Sequence, residues 1–521
     1  MTPPPLNDPP FTLALVGGTV HTLVEQEPLV GGVGIVGETI EAVGNDDEIR
    51  ARCRPSTTVV EVQGGEVVPG FCDAHTHPFW QGLHLLSLDL TEASSVGALI
   101  EQVAEAAERT PPGEWLLGFG WDESGWPERA LPGREALDEV APNHPIYLGR
   151  VCGHLAAVNT SALRAVDLNE TSGVEQAGRH PTGRLAGASL AEFFLKIPFS
   201  GEQRRGALDA FARSCDRHGV TSVHAFIETP EELESLTTLE DGPGVWAYGV
   251  HRPERPFPWE EARRRLPANG QVRLVGLKLY ADGSIGSHTA CLSHPYDDRA
   301  ETAGRLAFSS RTLTELISGF HAAGAQVAVH AIGDSAAEQV ITSAEAALAE
   351  GPEPPLPMRL EHLEVIHPLD LHRVAQMGLV ASLQPNFIAR WGQPGGMYER
   401  RLGARFRRMN PLGSFVREGA RLCFGSDGMP FGPLYGLAAA GLHPDEDQRL
   451  TPREALRWYT LGGAEAVGDE EGGAIASGRR ADLVVLSPGS LEQPDEGMVV
   501  ATIRGGRLVR PEAGRRGESG A

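Results

Sequence analysis

Apolar and polar positions in this chain follow two rhythms, and the change between them divides the sequence. Near both ends the apolar residues come in short runs between glycine-rich turns. Leu13-Ala-Leu-Val16, Val33-Gly-Ile-Val36 and Thr58-Val-Val-Glu-Val62 stand at the front, and Ala481-Asp-Leu-Val-Val-Leu486 and Met498-Val-Val-Ala-Thr-Ile503 at the back. Such runs predict strands. Two strand-rich ends around a long middle predict one β-module assembled from both.

The middle alternates short apolar runs with helical periodicity, as in Gly201–Arg217 and Ser335–Glu350. That alternation is the signature of βα units and a parallel sheet. Eight candidate strands stand out: Glu66–Asp73, Val220–Phe226, Val245–Val250, Leu274–Tyr280, Gln326–His330, Leu360–Val365, Leu379–Gln384 and Arg421–Ser426. Eight such repeats predict an α/β fold of the TIM (β/α)8 barrel type, with a doubly wound sheet as the alternative on pattern alone. The first two strands are far enough apart to hold a long insertion, about 79–200. It carries Trp80, Trp115, Trp121 and Trp126, half of the eight tryptophans. Pro111-Pro-Gly, Trp126-Pro and Leu131-Pro-Gly punctuate it, which predicts ordered loops there.

Length changes little: 521 residues divide into about three domains at the usual size, although barrels run longer. Gly and Pro, at 63 and 39 residues, fit a turn-rich chain rather than a disordered one. The net charge of −24 argues against a nucleic-acid binder or a polybasic membrane-surface protein. No apolar run approaches transmembrane length, and the start lacks the basic and apolar segments of a secretory signal. Cysteines 53, 72, 152, 215, 291 and 423 are scattered. The expectation is a reduced, cytoplasmic protein with a small-molecule substrate and neither nucleic-acid nor membrane partners.

The chemistry concentrates in the histidines. In Val68-Pro-Gly-Phe-Cys-Asp-Ala-His-Thr-His77, strand alternation sends His75 and His77 to one side, where two imidazoles can ligate a divalent ion. They stand at the C-terminal end of an apolar strand, where a barrel carries its active site. A histidine pair in a turn is often only a polar surface feature, but other strand ends repeat the theme. His330 and His362 end two more strands, and Asp427 follows Leu422-Cys-Phe-Gly-Ser. Lys278 lies inside the apolar run Gly276-Leu-Lys-Leu-Tyr-Ala-Asp-Gly-Ser284. It is either outward-facing and salt-bridged, or a desolvated amine able to take up carbon dioxide and bridge two metals as a carbamate.

On these residues the sequence resembles the amidohydrolase superfamily of metal-dependent hydrolases over nearly its whole length. Pro69-Gly-Phe-Cys-Asp-Ala-His-Thr-His77, His330, Glu361-His362, Gly425-Ser-Asp427 and Gly478-Arg-Arg-Ala-Asp-Leu-Val-Val-Leu486 carry the likeness. Lys278-Leu-Tyr-Ala-Asp-Gly-Ser-Ile-Gly-Ser287, Val329-His-Ala-Ile-Gly-Asp334, Asn143–His154 and Asn159 are similar to the subgroup that contains N-substituted formamide deformylase. The resemblance implies a β-sandwich-like domain from residues 1–65 and 471–521, and a barrel domain over 66–470. It implies one or two divalent ions, zinc first among them, with His75, His77 and Asp427 on one and His330 and His362 on the other. Carboxylated Lys278 would bridge them. Family habit adds a homodimer. One departure is His288, where arginine is expected after Gly-Ser; it puts substrate contacts near the fourth strand in question.

The activity so implied is hydrolysis of a non-peptide C–N bond, an amide or N-substituted formamide, by metal-bound hydroxide with Asp427 as general base. The alternative is an aminohydrolase that deaminates a heterocycle. Trp121 beside Asp122, His154, Asp282 and His288 are the substrate-contact candidates. His224 is a further strand-end candidate, Asp334 reads as a helix N-cap, and Glu361 is expected to face away from His362 into packing or a salt bridge.

Overall fold

The structure, a computed structural model, describes residues 9–24, 29–123, 126–128, 130, 132–151, 153, 155–166, 174–177, 180–186, 188–267, 270–351 and 354–509. Contacts divide the chain into two units, one made of Met1–Pro78 with Phe211–Ala521 and the other of Phe79–Ala210.

The first unit is built on eight parallel strands whose order in the sheet is their order in the chain. They are β1 (Phe71–Thr76), β2 (Val220–Ile227), β3 (Gly244–Val250), β4 (Val272–Tyr280), β5 (Gln326–Ala331), β6 (Arg359–His362), β7 (Val380–Leu383) and β8 (Arg421–Phe424). Most of their residues are buried on both faces, which is why the sequence shows continuous apolar runs instead of alternation. The end of β8 returns to β1: the Asp427 amide donates to the His75 carbonyl (2.8 Å) and the Ser426 amide to the Asp73 carboxylate (2.8 Å). All eight expected strands are present. The first is corrected: Glu66–Asp73 is not one strand but breaks at Gly70. Glu66–Pro69 pairs antiparallel with Leu483–Leu486, and β1 begins at Phe71. A Cβ on residue 70 would lie 2.2 Å from Thr221 Oγ1, so only glycine lets the chain pass from one sheet to the next.

The other sheet of this unit draws on both ends of the chain. Its order is Arg507–Val509, Val499–Arg504, Leu483–Leu486, Glu66–Pro69, Leu13–Val20, Leu29–Val36, Thr39–Gly44, with Thr58–Glu61 paired to the first half of Leu13–Val20. A bulge between Leu15 and Gly18, with Gly17 at φ 78°, lets that strand meet Thr58–Glu61 on one side of the bulge and Glu66–Pro69 on the other. Leu15, Val33, Ile35, Leu483, Val485 and Ile503 form its core.

Residues 79–210 fold around a six-stranded sheet ordered Val174–Ala177, His180–Ala186, Leu155–Val158, Ile146–Arg150, Leu116–Trp121, Leu88–Asp89. Ile146 and Leu148 pack on one face with helices Val96–Arg109 and Arg134–Val140. Tyr147 and Val158 pack on the other with Thr160–Ala165 and Ala188–Lys196. The insertion is therefore an α/β unit with its own core, not a set of loops. Its strands of two to seven residues are too short to show a clear period of two. Among the described residues no helix is long and apolar enough to cross a membrane.

Leu148 is fully buried in that unit. Leu148→Ala should lower the unfolding free energy by about 2–5 kcal/mol; denaturant unfolding of the full chain checks it, and a loss under about 1 kcal/mol would contradict the assigned core.

Candidate metal centre

The candidate ligands converge where β1, β4, β5, β6 and β8 end. His75 and His77, two residues apart, face the same interior. Asp427 follows β8 in a left-handed conformation (φ 53°) that turns its carboxylate towards them. Its Oδ1 lies 3.4 Å from His77 Nε2 and 3.8 Å from His75 Nε2. The ligand atoms of these three residues all lie within 4.8 Å of one another. The His362 ring is 4.6 Å from that of His75 and 4.5 Å from that of His330. Lys278 Nζ sits 4.0 Å from the centre of the Phe226 ring, which is itself 4.4 Å from His75. The six residues named as metal ligands from the sequence thus lie in one cluster.

Beneath them is a buried layer of charge. Glu361 Oε2 accepts from His75 Nδ1 (2.8 Å), and its Oε1 accepts from Arg359 Nε (2.9 Å). Arg359 also donates to His224 Nδ1 (2.6 Å), the Tyr248 hydroxyl (3.1 Å), the Ala74 carbonyl (2.8 Å) and Ser382 Oγ (3.1 Å). Both partners of the pair are fully buried. Burial alone would raise the Glu361 carboxyl, but Arg359, Lys278 and His75 hold it well below the usual carboxylate range. Glu361 forms its salt bridge as expected, yet it does not turn away from His362: both side chains reach His75. The cause is the backbone, which becomes left-handed at His362 (φ 75°) and Leu363 (φ 46°) and breaks the strand's alternation.

The cluster fits a divalent ion. Burial, helped by the Lys278 charge, holds His75 well below its ordinary pKa and pushes His77 down to about 3, so both stay neutral and able to ligate. Glu361 takes the His75 Nδ1–H and Gln384 Oε1 takes the His362 Nδ1–H (2.7 Å), which directs each Nε2 at the cluster. Lys278 is fully buried and its amine has no hydrogen-bond partner among the described residues. Burial pushes it down to about 8, against the pull of Glu361 and Asp427.

Other residues named from the sequence have structural engagements. Asp282 accepts the amides of Ile332 (3.0 Å), Gly333 (2.8 Å) and Cys291 (2.8 Å), fastening the loop after β4 to the loop after β5. The carbonyl next to it, Gly283, accepts from His330 Nε2 (2.9 Å). His288 is paired with Asp298 (3.0 Å), which also binds Arg401. Trp121 is fully buried in the second unit, its indole donating to the Leu148 carbonyl (3.0 Å). His154 lies outside the described residues. His224 is a buried partner of Arg359. Asp334 is the first residue of its helix, not the cap, and accepts the Ser293 amide (2.9 Å).

Sequence reasoning missed Arg359, Gln384 and Asp73. Asp73, fully buried, accepts the amides of His75 (3.2 Å) and Ser426 (2.8 Å) and the Ser426 hydroxyl, tying β1 to the Asp427 loop. The signal was a polar or charged residue in, or directly after, each of three apolar strands. Beside His362, Phe387 stacks at 6.3 Å and Trp391 lies 4.8 Å beyond it, forming an apolar wall with Met429.

Comparison with known proteins agrees with this geometry. The amidohydrolase family model matches residues 58–510. The chain is similar to YtcJ of Bacillus subtilis, 28% identical over 90% of this chain and 93% of that protein. It is also similar to N-substituted formamide deformylase of Arthrobacter pascens, 27% identical over 91% and 93%. A solved structure, an uncharacterized metal-dependent hydrolase from Pyrococcus horikoshii, superposes with a TM-score of 0.77 at 25% identity, covering 93% of this chain and 98% of that one.

Three outcomes follow. Glu361→Gln leaves Arg359 without its counter-charge and should cost about 3–5 kcal/mol in denaturant unfolding. Gln384→Met should leave stability nearly intact while weakening metal affinity about 10–100-fold in chelator competition. In the metal-free protein, the His77 imidazole should show no protonation from pH 8 to about 5 by NMR, because burial disfavours the charged ring; a midpoint near 6.5 would contradict its assigned surroundings.

Proposed function

Since the chain belongs to the amidohydrolase family, a family of metal-dependent hydrolases, we propose that it hydrolyses a non-peptide carbon–nitrogen bond, in an amide or an N-substituted formamide. The observation that carries this reading is the convergence of neutral His75 and His77 with the Asp427 carboxylate at the mouth of the barrel. The likeness to N-substituted formamide deformylase supports the substrate class.

In this reading His75, His77 and Asp427 would hold one divalent ion, zinc by preference, and His330 and His362 would hold a second. Lys278, whose amine burial pushes down to about 8, would be the residue open to carboxylation. A divalent ion there supplies Lewis acidity and makes water a nucleophile at neutral pH.

The chain's own contribution is position and proton transfer. The amide bond from Asp427 to the His75 carbonyl fixes the carboxylate beside the two imidazoles. Its side chain is 14% exposed, enough to meet water at the mouth. Asp427 takes the proton from the attacking water and returns it to the departing amine. Phe387 and Trp391, on the His362 side, offer an apolar surface for the hydrophobic part of the substrate.

Zinc-reconstituted protein should release amine from N-substituted formamides or N-acyl amines, lose that activity to a chelator and regain it with metal. Product amine and ammonia are to be measured separately. Ammonia released from aminated heterocycles alone would replace this reading with deamination. Asp427→Asn should lower turnover about 10²–10⁴-fold with the fold unchanged by circular dichroism.

A further inference from the structure

A charged cluster just beyond the ends of β2 and β3 is used by nothing above. Glu228 accepts from Arg252 Nη2 (2.8 Å) and from Arg255 Nη2 (2.7 Å). One carboxylate against two guanidiniums leaves one positive charge over. The neighbouring acid does not cancel it. The Glu232 carboxylate accepts the Glu228 amide (2.8 Å) and is buried, and that burial pushes it up to about 8, so it is largely neutral at pH 7. Glu254 acts on Arg252 only from the exposed surface, where water screens it.

Arg252 belongs to the mouth of the barrel. The His251 amide donates to the Lys278 carbonyl (2.9 Å), which lays the following residue beside β4. The guanidinium then covers the Tyr280 ring at 5.0 Å, and that ring is 5.1 Å from His330 and 5.5 Å from Lys278 Nζ. Arg252 Nε is buried with no hydrogen-bond partner among the described residues, while the side chain as a whole remains 25% exposed.

A fixed guanidinium this close to a cation site opposes the binding of the cation. That cost is offset when an anion sits against it, and the planar fork of arginine suits a carboxylate. We propose that Arg252 is a specificity-determining residue that receives a carboxylate of the substrate. The preferred substrates are amides carrying an anionic group near the scissile bond, with their apolar part on the Phe387–Trp391 side. This rests on the C–N hydrolase reading, but its test does not require turnover.

The test is calorimetric binding of hippurate and of its neutral counterpart N-benzoylglycinamide to the zinc-loaded protein. Hippurate should bind at least about tenfold more tightly, the scale of one charge-assisted contact. In Arg252→Met the two affinities should come within about twofold, by loss of hippurate affinity alone. Arg255 still neutralises Glu228 in that variant; should it fail to fold, Arg252→Lys should lose most of the preference. Equal affinities in the wild type, no hippurate binding, or a preference that survives in the variants would overturn the proposal. Selective hippurate binding without hydrolysis of any amide would instead overturn the C–N reading and leave Arg252 standing.

Discussion

A guanidinium and a carboxylate, both fully buried, hold the centre of this barrel. Arg359 cannot shed its charge, and Glu361 keeps its own because Arg359 is there. Neither would be stable alone at zero exposure. Through that pair, β6 is bound to the Ala74 carbonyl of β1, to His224 of β2, to Tyr248 of β3 and to Ser382 of β7. The free side of the carboxylate sets the tautomer of His75. One ion pair therefore serves as internal strut and as the orienting contact of a candidate metal ligand. The ligands above it need no adjustment to present neutral nitrogen.

Much of this was legible before any coordinates. Parallel strands buried on both faces leave continuous apolar runs, and a histidine or aspartate at the end of such a run is conspicuous. That contrast exposed His75, His77, His330, His362 and Asp427. It failed where a local backbone event overrode the period. The left-handed turn at His362 brings Glu361 to the same cluster, which no alternation rule predicts. Gly70 divides a stretch that reads as one strand, because the reason lies across space in Thr221. The insertion hid its sheet in strands too short to declare a period, and Trp121 proved to be core there. Arg359, Gln384 and Asp73 were visible as polar residues in apolar strands, but which ligand each would hold depends on neighbours distant in sequence.

The mouth of the barrel is divided in character. On the β2–β4 side stand Glu228, Arg252, Arg255 and Tyr280; on the β6–β8 side stand Phe387, Trp391 and Met429. Asn386 bonds the Ser426 carbonyl (2.6 Å) and the Met429 carbonyl (2.9 Å), so the apolar side is joined to the loop that carries Asp427. A ligand with one charged and one greasy end would have a single sensible orientation in such a setting. The chain's overall charge of −24 says nothing of this, since a local surplus of one cation beside a metal site outweighs distant, screened carboxylates.

The antiparallel pairing of Glu66–Pro69 with Leu483–Leu486 has a bearing on how the molecule is made. The segment leading directly into β1 finds its sheet partner near the far end of the chain. On the ribosome that partner emerges after all eight barrel strands. The strand bearing His75 and His77 thus lacks that support until Leu483–Leu486 has been made, and the last barrel strand is likewise needed to close on it. Residues 79–210, whose described strands pair with one another in one sheet, have no such wait. Order of manufacture separates the two units: one can form as it appears, while the barrel waits for segments made long after its first strand.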